Sequence, residues 1–245
     1  MLYLVSLGIW DVKDMSLRAY DILTRADKVY FERYTSNTLH SKESLERCLG
    51  RKVILLSREE VENMAEKIVD EASIKDICLC AQGDILSATT HVYFLRLCYE
   101  KNVQCKVIHG SSIFTSIAKT GLSLYRFGRV VSLPHPESFP TYPQTPFENI
   151  RNNYKSNLHS LVLLDIHLRC YDALDLISRY LPELTNKKIF VCYGLGGEKE
   201  KILYGKLSSL KKEVKYWDDY AQCIVIPANM EFYEEEIAKI WEIKK

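Results

Sequence analysis

Short apolar runs and amphipathic segments alternate through the first 110 residues. Residues 3–7, apolar apart from Ser6, predict a buried strand. Asp14 or Ser16 can then cap a helix in which Leu17, Tyr20, Ile22, Leu23 and Ala26 share one face. A short strand at 29–31, a helix near 41–48 and a strand at 53–56 follow. The clearest helix covers 58–72, where Val61, Met64, Ala65, Ile68 and Ala72 recur at helical spacing while Glu59, Glu60, Glu62, Glu66 and Lys67 face water. A strand at 77–81 leads into a turn at 82–84. A helix over 89–100 carries Val92, Leu95 and Tyr99 along one stripe, and a strand at 105–108 closes this half. Strands that alternate with helices, in apolar runs too continuous for half-exposed sheet, imply a mainly parallel sheet with helices on its faces.

The second half is less regular. Five of the seven prolines, at 134, 136, 140, 143 and 146, fall within residues 134–146. Such a segment cannot be regular helix or central strand, and it reads as an irregular excursion. Beyond it, residues 161–166, 189–193 and 223–226 predict strands, and 172–180 and 230–241 predict helices. The acidic run Glu231, Glu234, Glu235 and Glu236 suits the solvated first turn of the last helix. Neither an internal repeat nor a low-complexity tract is present.

Composition narrows the possibilities. A chain of 245 residues, 47% hydrophobic, can bury one large core or two modest ones. Lys plus Arg number 33 and Asp plus Glu 32, a net charge of +1 without the basic excess that phosphate neutralisation favours, so nucleic acid is not the expected partner. The longest uncharged stretch, residues 107–118, has twelve residues against the roughly twenty of a membrane span. The apolar start has no basic segment before it, and Asp11, Lys13 and Asp14 follow at once, unlike a secretory signal. A cytoplasmic protein without a membrane partner is expected. No two of the eight cysteines have C-x-x-C spacing, so free thiols and no metal site are expected. Cys78 and Cys80 alternate on a strand and should share a face.

In parallel α/β sheets ligands gather beyond the carboxyl ends of strands. Four loops there deserve inspection: residues 8–11, 83–87, 109–113 and 193–197. Glycines at 8, 83, 110, 194, 196 and 197 let backbone approach a ligand. Asp84 either closes a turn or accepts from a ribose hydroxyl or an amino acid ammonium. Ser111 and Ser112 either cap a helix or also meet a ligand carboxylate. The lone Gly8 does not make a G-x-G-x-x-G fingerprint, which weakens a nicotinamide nucleotide reading. His91 and His109 lie near these loops without metal-ligand spacing and read as satisfied or solvent-facing. Asp165 and His167 lack a nucleophile elbow. From spacing alone the function stops at a nucleotide-like ligand of unstated chemistry.

Taken together, the segments resemble one family. The opening MLYLVSLGIWDVKDMSLRAYDILTRADKVYFERYTS resembles the start of diphthine synthases over its whole length. GDILSATTH at 83–91 is similar to that family's G-D-P followed by two variable residues and A-T-T-H. VIHGSSI at 107–113, GLSLYRFG at 121–128 and LHSLVLLDI at 158–166 continue the likeness in the same order, which is dense to about residue 166 and thin beyond. This chain departs from the pattern at Ser6 and Trp10, where the first loop usually has glycine, at Ile85 in place of proline, and at Gln222 in place of histidine. The stretch from 166 to 187 is also short, and Trp10 is bulky enough to reshape the substrate side.

The resemblance implies two α/β lobes of the tetrapyrrole methylase type, residues 1–112 with a mainly parallel sheet and 113–245 with a mixed one. It also implies a homodimer, and S-adenosylmethionine in a cleft between the lobes, released as S-adenosylhomocysteine. By matching motif position, cofactor contacts would fall on Ile9, Asp84, Ser87, Ser112, Ile113 and Leu164, and less directly on Leu195 and Gln222. The implied reaction methylates the amine of a 3-amino-3-carboxypropyl group on a histidine of elongation factor 2, giving diphthine. Three methylations are expected from the compact length, with a fourth, on the carboxylate, in eukaryotic members. No general base is assigned. The alternatives are a precorrin-type tetrapyrrole methyltransferase and a non-catalytic scaffold of the same fold.

Overall fold

The computed structural model describes residues 1–244. The chain forms two compact units that divide between Ser116 and Ile117. The first contains β1 (Leu2–Ser6), α1 (Leu17–Arg25), β2 (Lys28–Glu32), α2 (Lys42–Leu49), β3 (Ile54–Leu56) and α3 (Arg58–Ala72). It continues with β4 (Ile77–Ala81), α4 (Val92–Glu100), β5 (Cys105–Ile108) and the single turn α5 (Ile113–Ser116). The strands lie in the order β3-β2-β4-β1-β5, and every pairing is parallel.

Both faces of this sheet are covered, which is why its strands lack a polar side. Ile77 and Leu79 of β4 pack with Ala65 and Ile68 of α3 and Phe94 of α4. Cys78 and Cys80 point the other way, onto Leu23 of α1 and Leu45 of α2. Serines start three of the helices. Ser16, Ser41 and Ser57 each accept from the backbone N–H three residues on, and Glu60 completes a reciprocal box with Ser57. The 58–72 helix and the 77–81 and 105–108 strands have the expected bounds.

Two helix faces differ from expectation. In α1 the buried stripe runs through Ala19 and Leu23, and Leu17 is 85% exposed. In α4 it runs through Phe94, Leu97 and Cys98, leaving Val92 and Tyr99 in solvent. In both cases a neighbouring stripe of the same period wins because it includes the residues that fit the sheet. The α4 helix also starts at Val92, since Thr89 turns its hydroxyl back to the Ile85 carbonyl and closes the preceding loop instead.

The second unit contains β6 (Val131–Leu133), α6 (Thr145–Lys155), β7 (Ser160–Leu164), α7 (Cys170–Tyr180), β8 (Lys188–Tyr193) and β9 (Lys201–Lys206). It ends with α8 (Leu207–Val214), β10 (Gln222–Ile226) and α9 (Phe232–Ala238). Its sheet has the order β6-β7-β10-β8-β9 and is mixed: β6 and β7 are parallel, while β10 runs antiparallel to β7 and β8, and β9 antiparallel to β8. Four elements escaped the hydrophobic pattern: β6, α6, β9 and α8. The excursion expected over 134–146 ends in α6, because Pro146 occupies the first turn, where a missing N–H costs nothing. Glu234 is a further correction. It is fully buried rather than solvated, because Arg126 and His159 surround its carboxylate.

All eight cysteines are free, and only Cys48 and Cys105 reach partial exposure. Among the described residues no group of three or more His, Cys, Asp or Glu is placed to hold a metal ion, and no helix is long and apolar enough to cross a membrane.

Candidate functional site

In the first unit the carboxyl ends of β1, β4 and β5 lie side by side, because β1 lies between the other two and pairs in register with both. Their loops are then drawn together by hydrogen bonds. Gly8 and Gly83 exchange a reciprocal pair, N–H to carbonyl, at 3.2 and 2.7 Å. The Ile9 N–H donates to the Ser111 hydroxyl at 3.0 Å. Gly8 adopts φ +86°, and an added Cβ would lie 2.3 Å from the Cβ of Asp14, so only glycine fits. Gly110 is packed as closely: a Cβ there would meet that of Ser6 at 2.8 Å. Ser6, one of the departures noted above, is therefore a small residue in a tight place, and its hydroxyl accepts from the Ile85 N–H at 2.9 Å.

Asp84 is the hub of these loops. One carboxylate oxygen accepts from the Leu86 N–H and the Ser87 hydroxyl, both at 3.1 Å. The other accepts from His109 Nδ1 at 2.8 Å and the Gly110 N–H at 3.2 Å, with the Ser6 hydroxyl at 3.5 Å. Burial works to raise the carboxyl pKa, but His109, Gly110, Leu86 and Ser87 more than offset it, and the group lies below the usual aspartate value. The side chain is thus an ionised carboxylate, 7% exposed, that ties two loops to the tip of β1.

Ile9, Asp84, Ser87 and Ser112 thus belong to one loop cluster, with Ile113 beginning the short helix beside it. Ser112 is buried, and its hydroxyl accepts from the Phe114 N–H at 3.2 Å, as a cap does. Gly83, at φ +67°, has open space where a Cβ would stand, so backbone is available there for close approach. The cluster thus places an internally bonded carboxylate and accessible Gly83 backbone at the ends of parallel strands, where α/β sheets take ligands.

Leu164, Leu195 and Gln222 belong to the second unit. Antiparallel register sets Leu163 opposite Cys223 and Gln222 opposite Tyr193, so Leu164 and Gln222 occupy one end of that sheet. Leu195 is two residues beyond Tyr193 in the glycine loop, where it is buried. Gln222 is committed locally: its amide oxygen accepts from the Cys170 N–H at 2.8 Å at the start of α7, and its amide nitrogen donates to the Asp218 carbonyl at 2.6 Å.

Two other polar groupings are buried. In the second unit His159 Nε2 lies 3.2 Å from Glu234, and its Nδ1 accepts from the Ala228 N–H at 3.0 Å, while Arg126 pairs with the same carboxylate. In the first unit His91 lies 3.9 Å from the buried Glu32 and lines a cavity of about 280 Å³ between α3 and α4 with Val61, Ala65 and Phe94. Neither ring nitrogen of His91 completes a hydrogen bond. Burial pushes its pKa down to about 4, with a partial offset from the Ile85 carbonyl. Burial also raises that of Glu32, against its bonds from Thr35 and Tyr34. The sequence reading passed over both the His109–Asp84 contact and the Glu234 network. A histidine at the tip of β5 was the available signal for the first; an acidic run hid the second.

The chain is similar to known proteins. The family model for tetrapyrrole (corrin/porphyrin) methylases matches residues 1–211. The diphthine synthase of Methanocaldococcus jannaschii is 34% identical over 98% of both chains. The diphthine methyl ester synthase of Schizosaccharomyces pombe is 39% identical over 69% of this chain and 59% of its own. A crystal structure of diphthine synthase superposes with a TM-score of 0.91 at 30% identity, covering 98% of this chain and 95% of that one.

Proposed function

Since the chain belongs to the tetrapyrrole (corrin/porphyrin) methylase family, and within it to the diphthine synthases, we propose that it methylates the modified histidine of elongation factor 2 with S-adenosylmethionine as donor. It is a methyltransferase of diphthamide biosynthesis. The acceptor is the amine of the 3-amino-3-carboxypropyl group, methylated three times to diphthine. A cytoplasmic site of action and assembly as a homodimer accompany this reading.

The observation that carries the donor site is the convergence of the three strand-end loops on Asp84. S-adenosylmethionine supplies an activated methyl group and its own leaving group, so the protein needs no nucleophile. Ile9, Ser87, Ser112 and Ile113 of the first unit are proposed to contact it, and the family likeness adds Leu164, Leu195 and Gln222. All five hydrogen bonds of Asp84 are internal, so it acts chiefly by holding the loop backbones in place around the donor. Fixing donor and amine in near-attack geometry can by itself remove roughly 7–11 kcal/mol of barrier.

Mass spectrometry of elongation factor 2 carrying the aminocarboxypropyl histidine, after incubation with enzyme and donor, tests the reading. Mass gains in three steps of one methylene are expected. A fourth step adds the carboxylate methylation named for the fission yeast relative. Methyl transfer to a tetrapyrrole precursor and none to the protein overturns the acceptor. No heat on titration with S-adenosylmethionine overturns the enzyme and leaves a scaffold.

A further inference from the structure

We propose that His109 is the general base that deprotonates the acceptor amine before each methyl transfer, an inference that rests on the reading above. Asp84 is ionised and can only accept, so the 2.8 Å contact requires the proton of a neutral His109 ring on Nδ1. That leaves Nε2 with its lone pair free. The side chain is 70% exposed, while its partner is almost entirely buried. A buried carboxylate that fixes tautomer and orientation, with the second nitrogen turned out to a substrate, is the arrangement that suits an imidazole for proton abstraction.

Its position supports the role. His109 follows β5 directly, and the neighbouring Gly110 N–H donates to the same Asp84 oxygen. Gly110 in turn packs on Ser6 and Gly8. The ring therefore stands among the loops proposed to hold the donor. Charged residues on the elements joined to it are Asp11, Lys13 and Asp14 on the turn after β1, and Lys106 on β5 itself. Asp11 and Asp14 are engaged by the backbone of their own turn, through the N–H groups of Lys13 and of Trp10 and Asp11. They do not compete for Nε2.

The chemistry balances. The acceptor begins as an ammonium, which has no lone pair. His109 Nε2 takes one proton; the freed nitrogen pair forms the new N–C bond as the C–S bond breaks, and its electrons return to sulfur as a neutral thioether. The methylated nitrogen is again cationic and carries one proton fewer. His109 passes its proton to solvent and is ready for the next round. Three rounds remove three protons and stop at a quaternary nitrogen, which has none left to give.

The test is His109→Asn, whose side-chain amide can still donate to Asp84 but offers no base, assayed beside His109→Ala. The expected result is a fall in kcat of at least about 100-fold for both, with S-adenosylmethionine affinity by calorimetry within threefold of wild type for His109→Asn, which keeps a donor to Asp84. Added imidazole should restore part of the His109→Ala rate. The wild-type pH–rate profile should show an acid limb that both variants lack. Independently of turnover, ¹⁵N NMR should find the neutral ring protonated on Nδ1. A wild-type rate in His109→Asn, or an Nε2–H tautomer, overturns the proposal while the methyltransferase reading stands. A wild-type enzyme that binds donor yet methylates no elongation factor 2 overturns the reading, and the base with it.

Discussion

Each unit has a carboxylate–histidine pair, and the two could hardly be used more differently. In the second unit Glu234 and His159 are both fully buried, and both ring nitrogens are occupied, one by Glu234 and the other by the Ala228 N–H. In the first unit Asp84 is buried but His109 stands in solvent with one nitrogen unspent. The chemistry of the partners is the same. What differs is whether the ring has anything left to offer, and that is decided by packing rather than by residue type. The closed pair joins β7 to α9 and to the Arg126 segment; the open pair organises loops. A third pair, His91 beside Glu32, is buried like the first, but its histidine completes no hydrogen bond.

The comparison can be broken most sharply at Glu234. Glu234→Ala strands Arg126 and His159 in the interior and should cost about 3–5 kcal/mol of stability, read from urea denaturation at neutral pH. A loss below about 1 kcal/mol would mean that the closed pair is not structural.

Acid titration sharpens the third pair. The unfolded chain takes a proton onto His91 near its ordinary value of 6.5, whereas the buried ring resists protonation down to about 4. Its contribution is therefore complete above pH 6.5 and is lost as pH falls toward 4, by on the order of 3 kcal/mol. Glu32, raised above its ordinary 4.5, acts in the opposite sense above that pH. The difference between wild type and His91→Phe isolates the histidine: wild type should lose about 3 kcal/mol more than the variant between pH 7 and 4. Parallel losses would show that His91 charges freely in the folded protein.

The smallest effect is expected at the open pair. Asp84→Ala should weaken S-adenosylmethionine binding by about tenfold or more, since each charge-assisted bond it accepts is worth about 1.5–3 kcal/mol. An unchanged dissociation constant in calorimetry would detach these loops from the donor.

Much of this was legible in the residues because local and global demands agree. In residues 58–72, Ser57, the Glu60 box and one apolar stripe all specify the same helix. The continuous apolar runs at 77–81 and 105–108 specify parallel strands for the same reason. Periodicity was ambiguous where two stripes share a helix, and Leu17 and Tyr99 show that the sheet, not the period, makes the choice. In the second unit β9 and α8 adjoin without a turn residue between Lys206 and Leu207, so their boundary had no sequence mark. Of the candidate site, Asp84 and Ser112 could be suspected from strand ends. The Asp84–His109 contact, spanning 25 residues, had only a histidine at a strand tip as its mark. It depends on β1 lying between β4 and β5, a fact of topology that no local pattern records.

The reciprocal bonds between Gly8 and Gly83 cross-stitch two neighbouring strand tips just where parallel chains are normally free to part. Neither tip can swing away without unpicking the other, so the two behave as a single stiff floor. The proposed threefold methylation of one nitrogen would require the spent donor to leave between rounds. With the floor pinned, that departure would have to leave these two strand tips where they are.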